Sequence, residues 1–164
     1  MDLATIIVTA LELIFPAYCA NAAPVLAGGR LPMDFGKNFV DGRRVFGKNK
    51  TFRGFFFGLA IGVLVGIVEV FLFNYPILFM VLSPLGALLG DLTGAFLKRR
   101  LNIPSGGLLP VVDQVDFVVG AIVFTFPLQI ISLSVVIAML IITPPIHLLT
   151  NFAAYKLGLK SNPW

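Results

Sequence analysis

Residues 54–73 read GFFFGLAIGVLVGIVEVFLF, a run whose one charged side chain, Glu69, lies near its far end. An α-helix rises about 1.5 Å per residue, so a run of roughly 20 residues crosses a hydrocarbon core about 30 Å thick. Arg53 precedes the run and Asn74-Tyr75-Pro76 follow it. This pattern predicts a membrane-spanning helix closed by a short turn.

Outward from that run, the same reading repeats. Ile77–Leu97 is a second long apolar stretch, with Asp91 about two helical turns from its basic end. On the N-terminal side, Leu3–Leu26 is a third such stretch, with Glu12, Pro16 and Asn21 as polar or kinking interruptions. Residues 117–142, which follow Asp116, carry no charge, and the apolar character continues to Tyr155. One helix of that length would be too long, so Pro127 and Gln129 are read as a break. The expectation is a fourth span over Asp113–Phe126 and a fifth over Leu128–Leu157, kinked at Pro144 and Pro145.

Composition agrees. Of 164 residues, 58% are hydrophobic and 12% charged, against about 25% charged in a soluble domain. A soluble chain this short could not bury so much apolar surface. Residues 1–164 are expected to form a single integral-membrane domain. Cys19 is the only cysteine, which excludes a disulfide within the chain. No Lys or Arg precedes the first apolar run, so that run is expected to stay as a helix and not to be a secretory signal.

Lys and Arg concentrate in cytoplasmic loops. Seven of the twelve basic residues lie in 30–53, three are Lys98, Arg99 and Arg100, and two are Lys156 and Lys160. Five spans place all twelve on one face; four would strand Lys156 and Lys160 opposite. The predicted fold is therefore all-α and polytopic, with five transmembrane helices and two polar cytoplasmic loops. The N-terminus would be outside, and the polar loops would place an active site at the cytoplasmic face of the cell membrane. Gly54, Gly58, Gly62 and Gly66 share one helical face, as do Gly86, Gly90 and Gly94. Small residues at this spacing let helices approach closely in lipid.

The chemistry-bearing residues are in the loops. Residues 28–53 combine seven cations with Asp34, Asp41 and five glycines. Exposed N–H groups and cations together suit a phosphate cradle, although an ordinary basic loop resting on anionic headgroups has the same composition. In the second loop Asp91 lies inside an apolar helix, where a carboxylate is costly and usually faces a polar cavity. Asp113 and Asp116 share a helical face. The three carboxylates could converge on a cation, and oxygen-only ligands favour Mg²⁺. Ion pairs to Lys98, Arg99 or Arg100, with N-capping by Asp113, are the plainer reading. His147, the only histidine, reads as a packing or cavity residue.

Several motifs together resemble CDP-archaeol synthases, the archaeal branch of the membrane CTP:phosphatidate cytidylyltransferase superfamily. They are Gly90-Asp91-Leu92, Lys98-Arg99-Arg100, Ser105-Gly106-Gly107 and Asp113-Gln114-Val115-Asp116. In the first half, Asn21 to Gly29, Asp41-Gly42-Arg43-Arg44 and Gly47 to Gly54 are also similar, so the likeness covers the whole chain. Bacterial members carry Lys-Asp before the glycine-rich stretch, an Arg where Gln114 stands and a His in that stretch. Their absence here agrees with the shorter archaeal branch.

The resemblance implies transfer of CMP from CTP to 2,3-di-O-geranylgeranylglyceryl phosphate, an isoprenoid ether lipid phosphate, in phospholipid biosynthesis. It implies Mg²⁺ on Asp91, Asp113 and Asp116. Phosphate contacts would come from Lys50, Thr51, Arg53, Lys98, Arg99, Arg100, Ser105, Gly106 and Gly107, with Arg43, Arg44 and Asn21 in support. The lipid tails would need a lateral groove between helices. No nucleic-acid partner is expected. A CTP-dependent polyprenol kinase is the nearest alternative. A small transporter would use Glu12 and Glu69 instead.

Overall fold

A computed structural model describes residues 2–160, 162 and 163. Helix α1 spans Leu3–Ala22 and continues through a one-turn helix, α2, Pro24–Ala27. Asp2 caps α1 by accepting from the Thr5 N–H at 2.9 Å. The long loop 28–51 leads to α3, Phe52–Phe73, whose N-cap is Thr51. Asn74 ends α3 in the left-handed region at φ 55°, a conformation that asparagine tolerates better than most residues. Helix α4, Phe79–Arg100, and helix α5, Val112–Thr125, follow. A 3-10 turn, Phe126–Leu128, then leads to α6, Leu133–Lys156, which contains Pro144 and Pro145. Among the described residues there is no strand, only isolated antiparallel bridges Pro32–Thr51 and Asn38–Arg44.

The all-helical expectation holds, and each apolar run becomes a helix. Four helical segments are long and apolar enough to cross a membrane among the described residues: α1 with α2, α3, α4 and α6. Helix α5 has 14 residues, about 21 Å of rise, which falls short of a hydrocarbon core. The last helix starts at Leu133 and not at Leu128. Phe126–Leu128 takes the 3-10 turn, Gln129 turns left-handed at φ 54°, and Ser132 supplies the new N-cap.

Helix α1 packs against α3, α4, α5 and α6. Its buried face, Ala10, Leu13, Ile14 and Ala17, meets Phe79 and Ala87 of α4, Phe117, Val118 and Ala121 of α5, and Val135 and Met139 of α6. Outward-facing apolar side chains are abundant, with Phe71 84% exposed and Leu133 75% exposed. In water that surface would be costly; in lipid it is solvated.

Glycine sets the closest approaches. A Cβ at Gly62 would lie 2.4 Å from Pro84 Cβ, and one at Gly66 would lie 2.7 Å from Met80 Cα, so α3 and α4 meet along the Gly face. Between α4 and α5, Gly86 meets the Gly120 carbonyl, and Gly90 meets the Asp116 carbonyl. This pairing carries Asp116 against the same helix that holds Asp91.

Candidate active site

The long loop is organised by Asp34, which is buried. Its carboxylate accepts from the Arg44 guanidinium and from the backbone N–H groups of Gly36 (3.0 Å), Phe46 (3.1 Å) and Gly47 (2.8 Å). Burial alone would push this carboxyl up. The Arg44 contact and the three N–H donors outweigh it and hold Asp34 well below the usual carboxylate range.

Arg100 then clamps this loop to the end of α4. Its Nε lies 2.8 Å from Asp41 Oδ2, and Nη2 donates to the carbonyls of Arg43 (3.3 Å) and Arg44 (2.7 Å). The guanidinium lies against the edge-to-face pair of Phe39 and Phe96, 4.8 and 4.5 Å from their ring centroids. Arg43 returns a hydrogen bond to the Arg100 carbonyl. Arg43, Arg44 and Arg100 are therefore joined to each other and to acids within the loop. None of them lines the cavity described below, nor does Arg53, which is exposed.

The second loop is built by Lys98 and Arg99. Arg99 is buried, donating to Ser105 Oγ at 2.8 Å and to the Pro104 carbonyl at 3.2 Å. Lys98 Nζ donates to the Gly107 carbonyl at 3.1 Å and to Asp113 Oδ2 at 2.9 Å. Asp113 Oδ2 also accepts from the Leu109 N–H at 2.9 Å. Between them Val111 stands at φ 68°, with the Val112 N–H on the Pro110 carbonyl at 2.8 Å. This is a three-residue turn rare for a β-branched side chain, and it delivers Asp113 into the first turn of α5. The two loops touch where a Cβ at Gly47 would stand 2.5 Å from Ser105 Oγ.

The loops and helices enclose a cavity of about 1260 Å³. Asp91, Asp113 and Asp116 all line its polar end, with Lys50, Thr51, Lys98, Arg99, Ser105, Gly106, Gly107 and Asn21. Lys50 Nζ lies 2.5 Å from Asp91 Oδ2. Thr51 is held at the α3 N-terminus, donating to the Gly28 carbonyl at 3.2 Å and accepting from the Gly54 N–H at 3.1 Å. From this end an apolar arm runs along α1 past Ala22, Cys19, Tyr18, Phe15 and Leu11, flanked by Ile61 of α3 and Ile146 of α6.

The carboxylates do not form a ready-made cage. Among the described residues no group of three or more His, Cys, Asp or Glu side chains is placed to hold a metal ion. Asp91 and Asp113 are each neutralised by a lysine, while Asp116 accepts from the N–H of Phe117 at 2.7 Å. One oxygen, Asp113 Oδ1, is buried without a partner. A buried polar atom left unpaired is costly, and a carboxylate oxygen in that state suits a hard cation.

Sequence reasoning missed part of the lining. Lys48 and Asn49 precede Lys50 at the polar end, and their place in a cation-rich loop was the available signal. Asn151 reaches the cavity from α6, its amide nitrogen 3.3 Å from both ring nitrogens of His147, which lines the cavity as expected. Lys160 and Asn162 also line it. Burial and the ammoniums of Lys50 and Lys98 pull Lys160 below the usual lysine range, and Asp91 and Asp113 oppose that shift.

Comparison with known proteins identifies the family. Residues 3–164 match a family model described as CarS-like, CDP-archaeol synthase. A CDP-archaeol synthase of Pyrococcus furiosus is 46% identical, covering 92% of this chain and 94% of that protein. One of Methanococcus aeolicus is 40% identical over the full length of both chains. A solved structure, described as an intramembrane enzyme for archaeal membrane lipids biosynthesis, superposes with a TM-score of 0.81 at 40% identity. It covers 88% of this chain and 94% of that one. By motif, architecture and similarity throughout its length, the chain belongs to the CDP-archaeol synthase family.

Proposed function

We propose that the chain transfers CMP from CTP to the phosphate of 2,3-di-O-geranylgeranylglyceryl phosphate, giving CDP-archaeol and pyrophosphate. The observation that carries this reading is one continuous cavity with a charged end and an apolar arm. A water-soluble nucleotide needs the first, and isoprenoid tails need the second. Ile61 of α3 and Ile146 of α6 line the arm, both helices pack on α1, and the tails would enter between them.

In the reaction a lipid-phosphate oxygen forms a bond to the α-phosphorus of CTP while the bond to the β-phosphate oxygen breaks, releasing pyrophosphate. A phosphate monoester is already anionic near neutral pH, so no strong base is required. Rate enhancement then comes from alignment and charge neutralisation. Lys50, Lys98 and Arg99 would hold the phosphates, with Thr51, Ser105 and the Gly106-Gly107 backbone shaping the floor and Asn21 orienting a ligand at the mouth of the arm. Arg43, Arg44 and Arg100 act by fixing the loops.

Asp91, Asp113 and Asp116 would hold Mg²⁺, which supplies electrostatic stabilisation of the triphosphate when bound. The hard-oxygen donor set and the unpaired Asp113 Oδ1 fit such an ion. Lys50 and Lys98 would then turn from the carboxylates to the incoming phosphates. We further propose that α5 completes a fifth crossing, with the N-terminus outside and the basic end at the cytoplasm. The distribution of all basic loops supports that orientation.

The test is product analysis. Purified protein with CTP, Mg²⁺ and the diether phosphate should release pyrophosphate and form a CDP-lipid. Formation of CDP and a phosphorylated polyprenol, with no CDP-lipid, would instead favour a CTP-dependent lipid kinase.

A further inference from the structure

We propose that Lys160, brought back to the cavity by the turn that ends α6, is a further phosphate-binding residue of this site. The inference rests on the cytidylyltransferase reading above. It begins with the turn. The Gly158 N–H bonds the Tyr155 carbonyl at 3.0 Å and the Leu159 N–H bonds the Ala154 carbonyl at 2.9 Å. Gly158 stands at φ 72°. This pair of bonds around a left-handed glycine closes a helix and reverses the chain. The reversal places Leu159, Lys160 and Asn162 on the cavity wall. The Asn162 amide donates to the Gly106 carbonyl at 3.4 Å, tying the segment to the glycine-rich turn.

Lys160 thereby lines the same cavity as Lys50, Lys98, Asp91 and Asp113. Lys50 and Lys98 each lie against one of those carboxylates. Asp91, Asp113 and Asp116 line this end with Lys48, Lys50, Lys98 and Arg99, and the ammonium of Lys160 adds to the excess of cations that an incoming anion meets. Without it, the carboxylates oppose an incoming phosphate more strongly. The lysine and its neighbours fit a phosphate group whether it belongs to CTP or to the lipid. A purely structural tail would not need an ammonium there.

The experiment compares Lys160→Met, Lys160→Arg and the control Lys156→Met in the full chain. Lys156 carries an equal charge but lies over the Phe152 ring, outside the cavity lining. CDP-lipid formation is measured against CTP and against lipid phosphate, and binding of inorganic pyrophosphate is measured by calorimetry. Lys160→Met should lower kcat/KM roughly ten- to a hundredfold, the worth of one charge-assisted hydrogen bond. The rise in KM falls on the substrate whose phosphate it binds. Lys160→Arg should recover most of the loss, and Lys156→Met should match the parent. Unchanged kinetics and unchanged pyrophosphate binding in Lys160→Met would overturn the proposal, as would a loss equalled by Lys156→Met. If the parent protein makes no CDP-lipid, the cytidylyltransferase reading fails. Calorimetry then still decides for or against Lys160.

Discussion

The carboxylate of Asp116 lies directly over Gly94, so that a Cβ added at Gly94 would stand 1.9 Å from Asp116 Oδ2. Helix α4 therefore leaves room for an acid of α5 by lacking a side chain at one position. In an unconstrained helix Gly→Ala stabilises by about 1 kcal/mol. Here the added methyl must push the Asp116 carboxylate out of its place. Gly94→Ala should cut CDP-lipid formation by roughly a hundredfold, as expected when a catalytic group is displaced by about 1 Å. Helical content by circular dichroism should stay the same. Wild-type turnover in this variant would show that the seat of Asp116 does not matter.

Asp113 offers a sharper test, because it both holds Lys98 at 2.9 Å and keeps one buried oxygen unpaired. Asp113→Asn preserves shape and the Leu109 contact but removes the charge. Turnover should nearly vanish while the thermal transition moves little. A chelator should silence the parent enzyme, and added Mg²⁺ should restore it. Full activity in Asp113→Asn, or activity indifferent to chelation, would remove the metal assignment.

Much of this was legible from residue patterns. Apolar runs between charged loops marked every long helix, because lipid leaves the backbone few other solutions. Glycine spacing marked the α3 and α4 packing faces. The acids and Lys50, Lys98 and Ser105 came out as one group because they sit at the same end of consecutive helices. What sequence could not show was pairing. Arg43, Arg44 and Arg100 look like phosphate ligands by type, yet Asp34 takes up Arg44, Asp41 and two phenylalanine rings take up Arg100, and Arg43 donates to the Arg100 carbonyl. Lys160 was readable as a cytoplasmic charge, but the Gly158 turn that returns it to the site depends on backbone geometry. The start of α6 was misjudged because a left-handed Gln129 leaves no compositional mark.

Asp34 should behave as the keystone of the first loop. Asp34→Ala leaves the Arg44 guanidinium and three N–H donors without their acceptor. The Arg44 side chain is a third exposed, so most of the cost comes from the N–H donors, about 1 to 3 kcal/mol for each one left buried and unpaired. The loss should appear as a lower midpoint in thermal unfolding, together with reduced activity through misplacement of Lys50. The pH dependence has a definite sign. Since the folded carboxyl is held below its unfolded value, its contribution is complete above the ordinary carboxylate pKa of about 3.9 and fades as pH falls below it. The stability gap between parent and Asp34→Ala should therefore be constant from pH 8 to about pH 5 and narrow at lower pH. A gap that widens in acid would contradict the assigned partners.

The apolar arm makes a separate prediction about the lipid. Cys19 lines it on α1 between the polar end and Phe15, and it is partly exposed. Cys19→Trp would fill space that an isoprenoid tail needs, without touching any group at the charged end. The KM for the long-chain diether phosphate should rise roughly tenfold, since overpacking an apolar site costs about 1–3 kcal/mol. The KM for CTP should stay unchanged. A short-chain, water-soluble lipid phosphate should be used as well by this variant as by the parent, because its tails end before the obstruction. Equal losses for long and short chains would mean that the substitution disturbs the charged end, and the arm would then not be the route of the tails.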